Sequence, residues 1–349
     1  MQYDLTTKLQ EKNLKYFDPA KPPFSLHGVL APDENEDCYR RMPAEVARET
    51  SRDVAALYTN TAGGRVRFVT DSPYVALKAF LPKVTHMNHM AQTGIAGFSV
   101  YGREDGGREM HYGTVPPNDE GIFEGIVRFP TKKMREITVY MPLYNDVTRF
   151  YIGIDGTAKL EKALPYAIEK PVVFYGSSIT QGGCASKPGS DYEACLSRTL
   201  GFDYLCLGFS GSAKGETAMA RYIAALEMSA FVMDYDHNAP TPEHLQKTHM
   251  SFFKIIRKAH PDLPILLLSR PHPLRDADNR RRFEIIRSTW ENAKACGDKN
   301  VYLIDGADFF TDAPFNDPTV DNCHPTDYGF YLMAKGIEPT LRVCLKNRQ

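Results

Sequence analysis

The sequence has no excess of either charge, no long apolar run and no cysteines at metal-binding spacing. Its 42 lysines and arginines stand against 43 aspartates and glutamates, a formal net charge of -1, and the basic residues are spread along the chain. That removes the electrostatic footprint of a nucleic-acid or anionic-membrane partner. No segment approaches the ~18 apolar residues of a membrane span. The opening MQYDLTTKLQEKNLKYFD lacks the apolar core of a secretory leader, so a cytoplasmic protein is expected. Seven cysteines (Cys38, Cys184, Cys195, Cys206, Cys296, Cys323, Cys344) are an odd number without a CxxC. They predict reduced thiols rather than disulfides or a zinc site. His86 and His89 share an HxxH spacing without an acidic residue nearby, which favours a loop or surface role over metal binding. Internal repeats and low-complexity tracts are absent.

What is there divides in two. The chain has 349 residues, 42% of them hydrophobic, enough for two cores. Residues 1–165 carry short alternating runs: GRVRFVTDS, YVALKAFLP, GFSVYGRED, GIFEGIVRFP, REITVYMPLY and RFYIGIDG. Gly, Pro, Asn and Asp punctuate them, the pattern of an all-β sandwich or jelly roll. The first fifty residues are less regular, with a short helix expected in PAEVARETSRDVAAL. Residues 166–349 alternate continuous apolar strands (PVVFYG, DYLCLGF, AFVMDYD, PILLLSRP, VYLIDG) with helical segments. One of these places Phe283, Ile286, Trp290 and Ala293 on one face. This half predicts an α/β domain with a parallel five-stranded sheet covered on both faces.

Ligands of such sheets bind beyond the carboxyl ends of the strands. There the sequence gathers a chemical set. VVFYGSSITQGG ends the first strand of the second half on two adjacent serines. GFSGS ends the second strand, DYDHNAP the third, and DNCHPTDYGF follows the fifth. A serine hydroxyl needs a base to become a nucleophile, and imidazole titrates near working pH. Asp321, three residues before His324, could hold the imidazole's tautomer from the same loop.

This set resembles the SGNH (GDSL-type) hydrolase superfamily over about 171–345. YGSSITQGG is similar to its first block, with Ser178 at the nucleophile position and Ser177 where Asp is usual. GFSGS resembles the second block and places its glycine at Gly211. DHNAP resembles the third, with Asn238, and DNCHP the last, with Asp321 and His324. The resemblance implies a flavodoxin-like three-layer domain and a Ser178–His324–Asp321 triad. It also implies an oxyanion hole made by the Ser178 and Gly211 amides and the Asn238 side chain, with no metal or organic cofactor. The stretch GFSVY, 97–101, resembles a GxDLY motif with Ser99 in place of Asp. A β domain ahead of an SGNH domain is similar to two-domain carbohydrate esterases that remove acetyl groups from sugars.

The expected partner is therefore a small-molecule or saccharide ester, and homo-oligomerisation stays open. His237, Arg270 and His272 are candidate substrate contacts. A thioesterase or lysophospholipase is the alternative within hydrolases, disfavoured by the polar rim loops GGCASKPGSD and SRPHPLRDADN. A non-catalytic carbohydrate-binding protein is the alternative outside them. The α/β-hydrolase elbow G-x-S-x-G fits less well, because its fifth position is Thr180.

Overall fold

The computed structural model describes residues 3–272, 276–311, 313 and 317–346. In chain order the first elements are β1 (Leu14–Phe17), β2 (Ser25–His27), α1 (Ala44–Thr50), α2 (Arg52–Ala55), β3 (Arg65–Thr70), β4 (Tyr74–Phe80) and α3 (Gln92–Ala96). There follow β5 (Phe98–Arg103), β6 (Met110–Val115), β7 (Ile122–Arg128), β8 (Arg135–Tyr140), β9 (Arg149–Asp155) and β10 (Leu160–Glu161). The remainder alternates: β11 (Ile168–Gly176), α4 (Tyr192–Leu200), β12 (Phe202–Gly208), α5 (Thr217–Ala224), β13 (Ala230–Asp234) and α6 (Pro242–Ala259). It closes with β14 (Ile265–Leu268), α7 (Ala277–Ala295), β15 (Val301–Ile304) and α8 (Asp327–Leu345).

The first unit comprises residues up to Arg41, Thr59–Pro165 and Ser186–Gly189. Its strands form two antiparallel sheets, ordered β1-β9-β4-β7 and β10-β3-β8-β5-β6, with β2 paired to β3. Each sheet turns an apolar face to the other. Phe98 on β5 meets Phe150 on β9 at 5.1 Å between ring centroids and Phe123 on β7 at 6.2 Å. The expected β architecture is present. The strands that alternation did not reveal, β1, β2, β6 and β10, are short or lie at sheet edges. Met110 and His111 of β6 are exposed, and an edge strand has no buried face to impose a period.

The second unit comprises Met42–Tyr58, Tyr166–Ala185 and the chain from Ser190 onward. Its five strands are parallel, in the order β12-β11-β13-β14-β15. Alternate residues of the central strands feed two cores. Val173, Tyr175, Phe231, Met233, Ile265 and Leu267 join a cluster with α5, α6 and α7. Phe174 turns the other way, its ring 5.7 Å from that of Tyr192 on α4, and Tyr192 stacks on Phe330 of α8 at 6.4 Å. This is the three-layer α/β arrangement.

Two segments depart from a single cut near residue 165. Met42–Tyr58, which holds α1 and α2, packs with the α/β unit: Met42, Ala47 and Val54 are fully buried in its core beside Met219, Ala220 and Ile223 of α5. Ser186–Gly189, eight residues beyond Ser178, packs with the β unit. There Thr93 Oγ1 donates to the Ser186 carbonyl at 2.6 Å, and Gly189, at φ +87°, leaves space that Tyr101 and Tyr140 fill. The buried stripe of α7 is also rotated from expectation. Ile286 and Ala293 are buried, but Arg282 and Thr289 complete the face, while Phe283 and Trp290 are half-buried.

Because Met42 is fully buried within the α/β core, Met42→Ala is expected to cost about 2–5 kcal/mol of stability, measured by chemical denaturation. A loss under about 0.5 kcal/mol would show that this segment does not belong to that core.

Candidate active site

β11 runs out at Gly176, and the chain folds back over the strand ends. Register places Gly176 beside Gly208 of β12 on one side and Asp234 of β13 on the other. Gly176, Gly208 and Asp234 thus mark one rim. In the turn that follows, Ser177 is buried and its Oγ accepts the Ile179 amide at 3.1 Å. Its own carbonyl accepts the Gln181 amide at 3.0 Å. Ser177 is thereby spent on the turn. Ser178 is partly exposed, and its Oγ lies 2.9 Å from His324 Nε2.

The imidazole is held from behind. His324 Nδ1 lies 2.8 Å from Asp321 Oδ2, while the His324 and Cys323 amides donate to Asp321 Oδ1 at 2.8 and 3.1 Å. Asn322 makes this curl possible by adopting φ +61°, a left-handed conformation asparagine tolerates better than most residues. Burial alone would raise the Asp321 carboxyl. Hydrogen bonds from the His324 amide and ring, with the charge of that ring, prevail and hold it below the usual carboxylate range. Backbone pairing joins the two loops: the Cys184 amide donates to the Pro325 carbonyl at 3.2 Å. With Nδ1–H directed at Asp321, Nε2 is left to accept the Ser178 proton.

Gly211 adopts φ +67° with open space where a side chain would project. Two side chains tether its loop. Gln181 Oε1 accepts the Ser210 amide at 2.9 Å, and Asn238 Nδ2 donates to the Phe209 carbonyl at 2.8 Å. An amide nitrogen has two hydrogens, so that bond leaves Asn238 a second donor. Asn238 itself ends a 3-10 turn, Asp236–Asn238. The structure therefore brings Ser178, His324 and Asp321 into one hydrogen-bonded chain and links the Gly211 loop to Asn238.

Comparison with known proteins gives the same blocks a lineage. Residues 169–342 match the family model of the GDSL-like lipase/acylhydrolase family, and residues 14–160 match that of the GxDLY domain found at the N-terminus of SGNH-hydrolase-type esterases. The chain belongs to the GDSL-like acylhydrolases. It is thus a carboxylic ester hydrolase by family. A candidate GDSL-like lipase from Bacteroides ovatus is 28% identical, with a TM-score of 0.85 over 96% of this chain and 98% of that one. The salicylyl-acyltransferase SsfX3 of a tetracycline biosynthetic pathway is 20% identical, with a TM-score of 0.78 over 96% and 98%. A family two carbohydrate esterase from Clostridium thermocellum is 13% identical, with a TM-score of 0.65 over 93% and 99%. These last two likenesses are of fold. No curated protein sequence matches the chain.

The remaining expected residues of the acylhydrolase sit around this core. His237 is half-buried, its Nδ1 4.0 Å from Cys323 Sγ. Burial, with the nearby charges of Arg270 and His324, drives its pKa well down and keeps it neutral. Arg270 turns its guanidinium toward Asp236, 3.5 Å away. His272 Nδ1 accepts from Asn279 Nδ2 at 3.3 Å. Of the rim loop 269–279, residues 273–275 lie outside the described residues. His86 is exposed, 3.5 Å from Asp119. Asp321, Cys323 and His324 could offer an ion three ligand atoms within 4.8 Å of one another, but both imidazole nitrogens are already engaged. A cavity of about 560 Å³ lies at the opposite end of the sheet, where β14 and β15 begin. Arg257, in its lining, is committed to Asp298 and to four backbone carbonyls.

Two groups at these strand ends were not apparent in the sequence. Asp234 Oδ2 accepts from Tyr192 Oη at 2.9 Å and Thr180 Oγ1 at 3.1 Å. The second is Arg282 of α7, whose Nη1 lies 3.2 and 3.1 Å from the Asp236 and Ala239 carbonyls. Burial pushes the Asp234 carboxyl from 3.8 up to about 7, against those hydrogen bonds and with the help of the Asp236 charge. The unfolded chain loses this proton near its ordinary value, whereas the folded chain keeps it until about 7. The contribution to stability is therefore full below about pH 4 and lost as pH rises through about 7. Asp234→Asn is expected to flatten the fall in melting temperature between pH 4 and 7. An unchanged slope in thermal melts across that range would assign the titration elsewhere.

Proposed function

We propose that the chain is a serine esterase that removes short acyl groups, acetyl foremost, from a carbohydrate through an acyl-enzyme on Ser178. The observation that carries this is the continuous relay Ser178 Oγ to His324 Nε2 at 2.9 Å and His324 Nδ1 to Asp321 Oδ2 at 2.8 Å. His324 takes the Ser178 proton as Oγ attacks the ester carbonyl. The oxyanion is met by the Ser178 and Gly211 amides and Asn238 Nδ2. His324 then protonates the leaving alcohol. It next deprotonates a water that attacks the acyl carbon, and the serine leaves with that proton. Asp321 keeps the ring oriented and balances its charge while it is protonated.

The carbohydrate part draws on the two-domain likeness to a carbohydrate esterase, and the short acyl group on the polar rim loops. On this reading Ser178→Ala falls to background hydrolysis of 4-nitrophenyl acetate. Ser177→Ala loses one turn hydrogen bond, about 1 kcal/mol, and stays within about tenfold of wild type. Equal loss in both variants would overturn the nucleophile assignment. Comparison of acetyl with octanoyl 4-nitrophenyl esters tests the acyl group: a higher kcat/KM for octanoyl would favour the thioesterase or lysophospholipase reading.

A further inference from the structure

We propose that Arg282 is the positioning residue of the oxyanion donor: its guanidinium, carried on α7, fixes the Asp236–Asn238 turn from beneath and so aims the Asn238 amide. The inference rests on Asn238 being an oxyanion donor and concerns what holds it there.

The geometry is specific. Arg282 Nη1 donates to the Asp236 carbonyl at 3.2 Å and to the Ala239 carbonyl at 3.1 Å, two backbone oxygens on either side of the His237-Asn238 pair. The same nitrogen lies 3.2 Å from Asp236 Oδ1, and Nε reaches Asp278 Oδ2 at 2.7 Å. The Arg282 side chain is 5% exposed and that of Asp236 1%. A buried arginine used only to neutralise Asp236 would direct its fork at the carboxylate. Here Asp236 has a second partner: Arg270 donates its amide to Oδ2 at 3.0 Å and places its guanidinium 3.5 Å away. Arg282 instead spends Nη1 chiefly on main-chain oxygens. Between them stands Asn238, whose other contacts are the Tyr235 carbonyl, through its amide at 2.9 Å, and the Phe209 carbonyl, through Nδ2 at 2.8 Å.

An oxyanion donor contributes only if it is already where the charge will develop. A displacement on the order of 1 Å can cost about 10²-fold in rate. Lysine keeps the positive charge but is a point donor on a flexible stem and cannot replace the fixed fork. Arg282→Lys therefore separates positioning from charge compensation.

The test is a double-mutant cycle on the purified protein with 4-nitrophenyl acetate, using Arg282→Lys, Arg282→Met, Asn238→Ala and the doubles. Asn238→Ala is expected to lose about 10²–10³ in kcat. Each Arg282 variant is expected to lose about 10²-fold in kcat with KM within about twofold, and each double to be no slower than Asn238→Ala alone. If Arg282→Met does not fold, the lysine variant, which keeps Asp236 paired, carries the cycle. Losses that multiply in the double mutant, or full activity in Arg282→Lys, overturn the positioning role while the hydrolase reading stands. An inactive wild type, or an Asn238→Ala as fast as wild type, overturns the reading of the site and the positioning role with it.

Discussion

Everything at this site depends on a close approach of backbone to backbone. The turn after β11 lies directly on the ends of two strands. A Cβ at Gly208 would stand 2.3 Å from the Gln181 amide nitrogen, and one at Gly176 would stand 2.5 Å from the Asp234 carbonyl oxygen. Neither position admits a side chain without moving main chain, which a packed interior resists. The two glycines let Ser177 and Ser178 sit on the sheet itself rather than on a mobile loop above it. Ser178 inherits the rigidity of five parallel strands, and side chains from their rim can reach it.

That closeness creates an electrostatic problem beneath the turn, and the same residues answer it. Asp234 ends its strand where no water reaches, so its carboxyl is pushed toward the neutral form and is surrounded by the hydroxyls of Tyr192 and Thr180. Thr180 belongs to the turn after β11, Tyr192 to the first turn of α4. The acid ties the turn to the helix that follows it. Asp236, two residues on, is handled in the opposite manner, by two arginines. One strand end thus carries a buried acid held by neutral donors and another held by ion pairs, and Asn238 hangs from the second. In such networks a satisfied arrangement fixes one geometry, whereas a missing partner leaves a costly buried group.

The parts of this arrangement that the sequence made legible are those with a period or a spacing. The parallel strands are continuous apolar runs, and their ends carry Ser178, Gly211, Asn238, Asp321 and His324 in an order that few other folds produce. Arg282 was hidden because it stands in a run of three arginines that reads as a solvated helix face, while Phe283 beside it suggested where the core lay. The rotation of α7 by one residue buries the cation instead, since Asp236 and two carbonyls wait for it. The partition of the chain was equally hidden. Nothing in PAEVARETSRDVAAL tells which core its apolar stripe joins, and Ser186–Gly189 is too short to have a pattern. Both are set by tertiary contact alone.

The departures from the usual SGNH pattern become intelligible at the level of single hydrogen bonds. Where the pattern has Asp, Ser177 accepts the amide two residues on, the same local bond an aspartate side chain makes in such a turn. The turn keeps that bond, but without a negative charge beside Ser178. In the proposed mechanism Asp321 is then the carboxylate that balances the imidazolium, and it is tied to His324 by side chain and main chain at once. The third block shows a parallel economy. The usual G-x-N-D of that block reads Asp236-His237-Asn238-Ala239 here, so the Ala239 side chain cannot fix the turn, and its carbonyl is instead one of the oxygens that Arg282 grips. In both places hydrogen bonds with the main chain hold the turn, from the Ile179 amide to Ser177 Oγ in one and from Arg282 to the Asp236 and Ala239 carbonyls in the other. In the proposed mechanism, where preorganised donors meet the oxyanion, that geometry is the property on which rate depends.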